Sequence, residues 1–368
     1  MKQKFILTLA IFTICNLPAA WCQQSNMELV KRGMDYIYNY NFQKSQAVID
    51  QLESRLPGSA IPDLMKATQV FWRYYPVYVN ESELSRYQEY LESAYSRSLT
   101  VLKEDPGNAE AIFLAMASQG LLAESYADAG RSFKAVGAAK KAYNYLKDGA
   151  AKMNQYQEFY LSTGLYNYYR EYYPEAHPIY RPFMSFFMKG DKEIGIQQLE
   201  IASSRASIAH VIARYYLSYI YMRYEYLPLK ALRQGKDLYE SYPNNPLFSA
   251  IYLESLIINQ KYREATPIAI KLQSNNNPYL RIYGDLFMGV IEEKKANYAL
   301  AEQLYHKTLD LNDVHVMERG HLEAFAYLGL GRIYQQRNDT NQARKYFKES
   351  YNKAITEPMR NEAKSYLN

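Results

Sequence analysis

Along most of this chain, large apolar residues recur at spacings of three and four, in blocks that come in pairs divided by short polar breaks. In AFAYLGLGRIYQQRNDTNQARKYFKES, the first block carries Tyr327, Leu330 and Tyr334, the break is RNDTN, and the second block carries Phe347. Such a pattern predicts a helix, a turn and a second helix whose apolar stripe faces the first. The pairing recurs from residue 26 onward, and the chain reads as all-α.

Small residues recur in step with the large ones. Numbered from Ala324 as position 1, Gly331 is 8, Ala343 is 20 and Ser350 is 27, while large residues fill 4, 7, 11 and 24. Small side chains at those three positions let two helix backbones approach to about 8–10 Å. Alanine occupies position 20 at 231, 265, 301 and 343, in steps of 34, 36 and 42. The longer steps are expected to be extended loops at NNNP and NDVHVMERGH. Gly289 takes position 8 and Tyr305 position 24 in the preceding repeat, and Pro243 takes position 32 in an earlier one.

These residues resemble the tetratricopeptide repeat, whose pattern is W-x2-L-G-x2-Y followed by a small residue, an aromatic and a second small residue. The resemblance implies a right-handed α-solenoid of about seven helical hairpins, each stacked on the next. It is strong over 212–357, though Leu253 replaces the small residue at position 8 and Ile355 the proline at 32. Over 26–59 it is carried by Leu29, Gly33, Tyr36, Phe42, Ser45 and Pro57. Between these segments it degenerates. There Ala94 and Pro106 mark a second helix, whose partner DLMKATQVFWRYY is expected to join it through the polar YVNESELSR. NAEAIFLAMASQGLL and GRSFKAVGAAKKAYNYLKDGA form an alanine-rich pair with a widened turn. The chain thus divides into looser hairpins at 23–211 and a regular array at 212–368, with PMRNEAKSYLN expected to form a short final helix.

One repeat is interrupted. Gly164 and Gly195 take positions 8 and 20 but lie 31 residues apart instead of 12, so 19 residues are inserted. The insertion contains YYPEAHPIYRPFMSFF, residues 172–187, in which Pro174, Pro178 and Pro182 are expected to prevent continuous helix. Its aromatics Tyr180, Phe183, Phe186 and Phe187 are expected to fold down, since exposing them together would leave a large apolar patch. Tyr180 and Arg181 remain candidates to face a partner.

Residues 1–22 carry Lys2 and Lys4, an apolar run too short to span a bilayer comfortably, and then PAAWC, which is the order of a secretory signal. Cleavage is expected after Cys22, with Ala20 as the alternative, and a cut after Cys22 removes both cysteines and lowers the net charge from +5 to +3. A lipoprotein acylated at Cys22 is the competing reading, and Trp21 directly before it is too large for that signal. The signal places the protein outside the cytoplasm, in the periplasm or at the outer-membrane periphery of a bacterial envelope. The 368 residues are 48% apolar and 22% charged, a globular balance too mildly basic to argue for nucleic acid. The least ordinary count is 39 tyrosines, a residue suited to half-buried surfaces and interfaces.

Motifs for chemistry are weak. His315, Glu318 and His321 drift around a helix axis and are read as solvated residues of a loop; His177 has only Glu175 beside it. GLGRIY lacks a third glycine and a preceding strand. No cofactor or metal is expected, and no catalytic residue is assigned. Family register places Tyr168, Tyr169, Arg223, Tyr224, Glu254, Arg332 and Gln335 on the concave groove. The implied function is a non-enzymatic scaffold that binds a protein or peptide partner there. Alternatives are a glycan-binding envelope protein, or an enzyme with a site near the 172–187 insertion.

Overall fold

A computed structural model describes residues 25–176, 187–310 and 319–367. The chain forms two compact units, one ending at His210 and the other starting at Val211. Among the described residues all regular structure is helical.

In the first unit, α1 (25–38) pairs with α2 (Phe42–Arg55), and α3 (Ile61–Arg73) with α4 (Glu81–Glu104). They are followed by α5 (Ala109–Asp128), α6 (Ser132–Ala150), α7 (Phe159–Ala176) and α8 (Lys192–Arg205). α9 (His210–Tyr219), in the second unit from Val211 onward, runs into a π-helical turn at Ile220–Tyr224, and that turn packs on α10 (Pro228–Ser241). Then come α11 (Pro246–Ile258) with α12 (Tyr262–Gln273), α13 (Pro278–Lys294) with α14 (Tyr298–Leu309), and α15 (Arg319–Gln336) with α16 (Thr340–Lys353). The final helix α17 (Glu357–Ser365) packs on α16 and α15. Within this unit the first helices also pack on one another, α11 on α13 and α13 on α15, as stacked hairpins require.

Local sequence explains the helix starts. Asn245 and Asn277 each accept backbone N–H bonds in the following turn and are followed by proline, so capping residue and N1 proline act together. Asn80, Asn108, Asp191 and Asp339 cap α4, α5, α8 and α16 in the same way.

The hairpin turns share a device that composition hides. Tyr40, Gly130, Gln260, Ala296 and Asn338 each take a left-handed conformation, with φ between 57° and 70°. The next residue's N–H then reaches back five residues, for example Lys261 to the Leu256 carbonyl (2.8 Å) and Asn297 to the Glu292 carbonyl (2.9 Å). This closure satisfies carbonyls at the end of the first helix. Only one of the five residues is glycine, so packing of the two helices imposes a conformation that costs an L-residue roughly 1–2 kcal/mol. In the α9–α10 turn Tyr226 (φ 46°) plays this part, and Leu227 reaches back six residues, to Tyr221 (2.6 Å).

The small residues do what their spacing implies. Ala231, Ala265, Ala301 and Ala343 are all buried at the hairpin contacts. A Cβ added at Gly195 would lie 2.6 Å from the Tyr168 backbone nitrogen, so the α7–α8 approach requires glycine. At the end of the array, Met359 and Ala363 of α17 are buried and Tyr366 stacks flat on Phe347, with centroids 4.1 Å apart.

Three local expectations fail. YVNESELSR is not a connector, because Asn80 caps α4 and the helix begins at Glu81. The α5–α6 turn is not widened: α5 continues through the exposed Gly120 to Asp128, and residues 129–131 suffice to turn the chain. Neighbouring Gln119 and Leu122 are buried, and that packing outweighs the roughly 1 kcal/mol an isolated helical glycine costs. Likewise α7 does not stop at Pro174 but runs two residues beyond it, where the lost hydrogen bond falls within the helix's last turn. Pro178, Pro182, Phe183 and Phe186 lie outside the described residues. The far end of the insertion is held down: Tyr166 Oη donates to the Met188 carbonyl (2.7 Å), the Met188 N–H donates to Tyr143 Oη (2.9 Å), and the Phe187 ring meets Tyr143 edge-on at 5.2 Å.

Two opposite exchanges should therefore both stabilise the protein. Nothing lies within 4 Å of a Cβ at Gly120, so Gly120→Ala is expected to add about 0.5–1 kcal/mol. Ala296→Gly, which relieves a left-handed alanine (φ 62°), is expected to add about 1 kcal/mol. Urea unfolding of each variant checks both, and a lower midpoint for either would refute the corresponding turn or helix assignment.

Candidate functional site

The residues that family register assigned to a groove are organised by two charge pairs in the second unit. Arg223, in the π-helical turn, takes register position 12 and Glu254 of α11 takes position 9 of the next repeat. Arg223 donates through Nε to Glu254 Oε1 (3.2 Å) and through Nη2 to Oε2 (2.6 Å). Glu293 of α13 and Arg332 of α15 occupy the same two positions with the charges exchanged. Arg332 Nε lies 2.6 Å from Glu293 Oε1, and its Nη2 lies 2.9 Å from Oε2. At the junction between, positions 12 and 9 hold Ile257 and Val290, both in the apolar core of this unit. The three successive junctions are thus basic–acidic, apolar–apolar and acidic–basic. The planar guanidinium matches a carboxylate in two parallel bonds, which fixes orientation as well as distance.

Further groups converge on each pair. The Tyr219 ring lies 4.5 Å from the Arg223 guanidinium. α15 begins five residues before its register position 1, and that extra turn brings in His321. His321 is fully buried; its Nε2 donates to Glu254 Oε1 (2.7 Å) and its ring packs edge-on against Phe325. This corrects the reading of His321 as a solvated loop residue; His315 and Glu318 lie outside the described residues. Burial alone would raise the Glu254 carboxyl, but the Arg223 charge and the hydrogen bond from His321 outweigh it and hold the group at about 2. At the second pair, Tyr305 Oη donates to Glu293 Oε2 (2.6 Å), and Arg332 Nη1 donates to Glu362 Oε1 of α17 (2.9 Å). Burial, then the nearby Glu293 carboxylate, pushes the Tyr305 hydroxyl up; burial would lower Arg332, but its bonds to Glu293 raise it instead.

The predicted groove residues therefore separate into three groups. Arg223 and Glu254 are buried against each other, and Tyr168 is fully buried in the first unit, stacked on Tyr172. These three present almost no side-chain surface, because hairpin packing closes over them. Tyr169 and Tyr224 are half-buried, Arg332 keeps about a fifth of its side chain accessible, and Gln335 is exposed. Tyr180 and Arg181 lie outside the described residues. His321 and Glu293 were not singled out for this site from the sequence. Opposite charges at positions 12 and 9 of successive repeats are the signal that reveals Glu293; His321 lies outside the repeat register and leaves no such trace.

A separate buried carboxylate organises the end of the first unit. Glu158 accepts three consecutive backbone N–H groups, from Ser207 (2.6 Å), Ile208 (3.1 Å) and Ala209 (2.7 Å). Burial pushes this carboxyl up despite those bonds. Among the described residues, no cluster of three or more His, Cys, Asp or Glu side chains could hold a metal ion, and no helix is long and apolar enough to cross a membrane.

Residues 280–354 match the family profile described as tetratricopeptide repeat. No curated protein sequence matches the chain. Among solved structures, yeast Tom70 is 12% identical, with 96% of this chain and 87% of that chain covered and a TM-score of 0.40. A human IFIT1 dimer with m7Gppp-AAAA is 13% identical, with 89% and 94% covered and a TM-score of 0.39. Likenesses this distant carry nothing about what the present chain binds. Residues 280–354 are tetratricopeptide repeats, and the other hairpins follow the same helix–turn–helix plan.

Glu254 is the group on which the first cluster turns. Glu254→Gln is expected to destabilise the second unit by about 3–5 kcal/mol, because Arg223 stays buried with no countercharge. Since the folded carboxyl is held at about 2 against an ordinary 4.5, its contribution is complete above pH 4.5 and falls away as pH drops toward 2. The unsubstituted protein should lose stability over that window and the variant markedly less; parallel denaturant titrations at pH 7, 4 and 3 would show it, and equal slopes would exclude the assignment.

Proposed function

We propose that this protein is an exported, non-enzymatic scaffold that holds a protein or peptide partner against the first helices of its repeats. Tetratricopeptide hairpins stack into extended surfaces suited to holding other chains. The observation that carries the reading is the match of residues 280–354 to that repeat, in a segment whose polar machinery serves to lock hairpins together. Both Arg–Glu pairs are doubly bonded inside the array, so the surface beside them is pre-organised and a partner need not order it on binding. The contacts left to a partner are the accessible tyrosine and polar side chains, with Gln335 the most open of the register positions. Tyrosine offers a rigid ring and a polar tip at little entropic cost, as interface residues do.

The exported setting rests on residues 1–22, with their basic start, apolar run and PAAWC. In a bacterial envelope such a scaffold would serve the assembly of an envelope complex.

The test is a capture experiment from envelope extract with three baits: the protein itself, Tyr169→Ala/Tyr224→Ala/Gln335→Ala, and Lys236→Ala on α10 as a control. The first and third baits should retain the same partner, and the triple variant should retain at least tenfold less, as loss of two or three interface anchors implies. Equal recovery by all three baits would remove these side chains from the binding surface.

A further inference from the structure

α6 is buried on one face only. Ala138, Leu146 and Gly149 point inward, and the helix packs on α5 with a smaller contact to α7. At 100° per residue, the opposite face carries Phe133, Val136 and Lys140 in successive turns, and Lys147 two turns further on. Phe133 is 98% exposed and Val136 69% exposed, the most open aromatic and one of the most open aliphatic side chains among the described residues. A lone exposed apolar residue is ordinary, but here two lie one turn apart and are set in positive charge.

Residues 131–150 contain Arg131, Lys134, Lys140, Lys141 and Lys147 against one acid, Asp148. The acid next nearest along the chain is Asp128, at the end of α5. None of the five cations forms an ion pair with a described residue. Lys134, Lys141 and Lys147 lie over the rings of Tyr126, Tyr95 and Tyr143, at 5.3–5.4 Å, which holds their stems along the helix while the ammonium groups stay at the surface. The helix therefore offers uncompensated positive charge along its length and a projecting aromatic in its first turn.

We propose that this face of α6 docks on an anionic lipid bilayer, with Phe133 and Val136 entering the headgroup boundary and the lysines meeting anionic headgroups. Charge complementarity selects the surface. The shape selects lipid over an acidic protein: the Phe133 ring projects almost fully exposed, whereas a protein anchor sits in a ring of contacts that excludes water. A headgroup layer deforms around a protruding ring, and aromatic residues favour that depth. The attachment is peripheral and reversible. None of Tyr169, Tyr224 and Gln335 lies on α6.

The test is co-sedimentation of the purified chain with vesicles of phosphatidylcholine alone and of phosphatidylcholine with about one-third phosphatidylglycerol, at low and high salt. Binding should be at least tenfold stronger to the anionic vesicles and should fade at high salt. Phe133→Ser/Val136→Ser and Lys140→Glu/Lys141→Glu should each reduce it at least tenfold, with unchanged circular dichroism. Lys345→Glu/Lys348→Glu on α16, an equal change of charge elsewhere, should bind as the parent does. Equal binding to both vesicles, no binding to either, α6 variants that bind like the parent, or equal loss in the α16 control would each overturn the proposal. So would binding to poly-glutamate in place of vesicles, which would point to an acidic protein. The Tyr169→Ala/Tyr224→Ala/Gln335→Ala variant should still sediment with anionic vesicles, so failure of the scaffold reading and failure of this one are separable.

Discussion

Two helices can lie side by side at backbone contact only if the residues between them are nearly without side chains, and each hairpin of this protein depends on that condition. Gly195 against the Tyr168 backbone expresses it directly, and the buried alanines at 231, 265, 301 and 343 repeat it through the second unit. Once the backbones are that close, the larger side chains have few places to go, and the apolar cluster built around Leu253, Leu286, Phe287 and Tyr305 follows. The left-handed turns follow too. Where only three residues join the paired helices, as after α11 and α13, the chain accepts a strained Gln260 or Ala296 because the packed pair is worth more than the turn costs.

The same closeness governs the charges. A first helix of an inner hairpin is enclosed by its partner helix and by the hairpins on either side, so α11 is buried along almost its whole length. Any polar side chain on it must be satisfied where it stands. Glu254 is satisfied three times, by both arms of Arg223 and by His321. Glu293 is satisfied by Arg332 and Tyr305, and Arg332 carries the connection on to α17. A buried ion pair adds little stability over an apolar pair of similar shape, but it penalises any register that separates the charges. The exchange of sign between the two junctions means that a hairpin placed at the wrong junction would bring like charges together or set a charge against Ile257 or Val290.

Function then falls to what packing leaves outside. The interior of the repeats is committed to holding them in order, and the surfaces that remain are half-buried tyrosines, polar groups such as Gln335, and the open face of α6. A stiff array with a few accessible anchors suits holding a partner better than reacting with one, which is the sense in which the fold and the proposed role agree.

The period of small and large residues was enough to determine helices, pairing and repeat length from Ile212 onward, because steric fit between neighbours is local and leaves a mark at fixed spacing. Asn245 before Pro246 and Asn277 before Pro278 announced helix starts for the same reason. Residues such as Arg223, Glu254 and Arg332 could be placed on the right helices but not given the right role. Register says which way a side chain points, whereas burial depends on how closely the next hairpin closes over it. Pro174 and Gly120 misled because their helical penalties are small beside the packing of the helices that contain them. His321 was decided by tertiary structure alone: 67 residues separate it from Glu254, and only stacking of the hairpins brings an imidazole to that carboxylate.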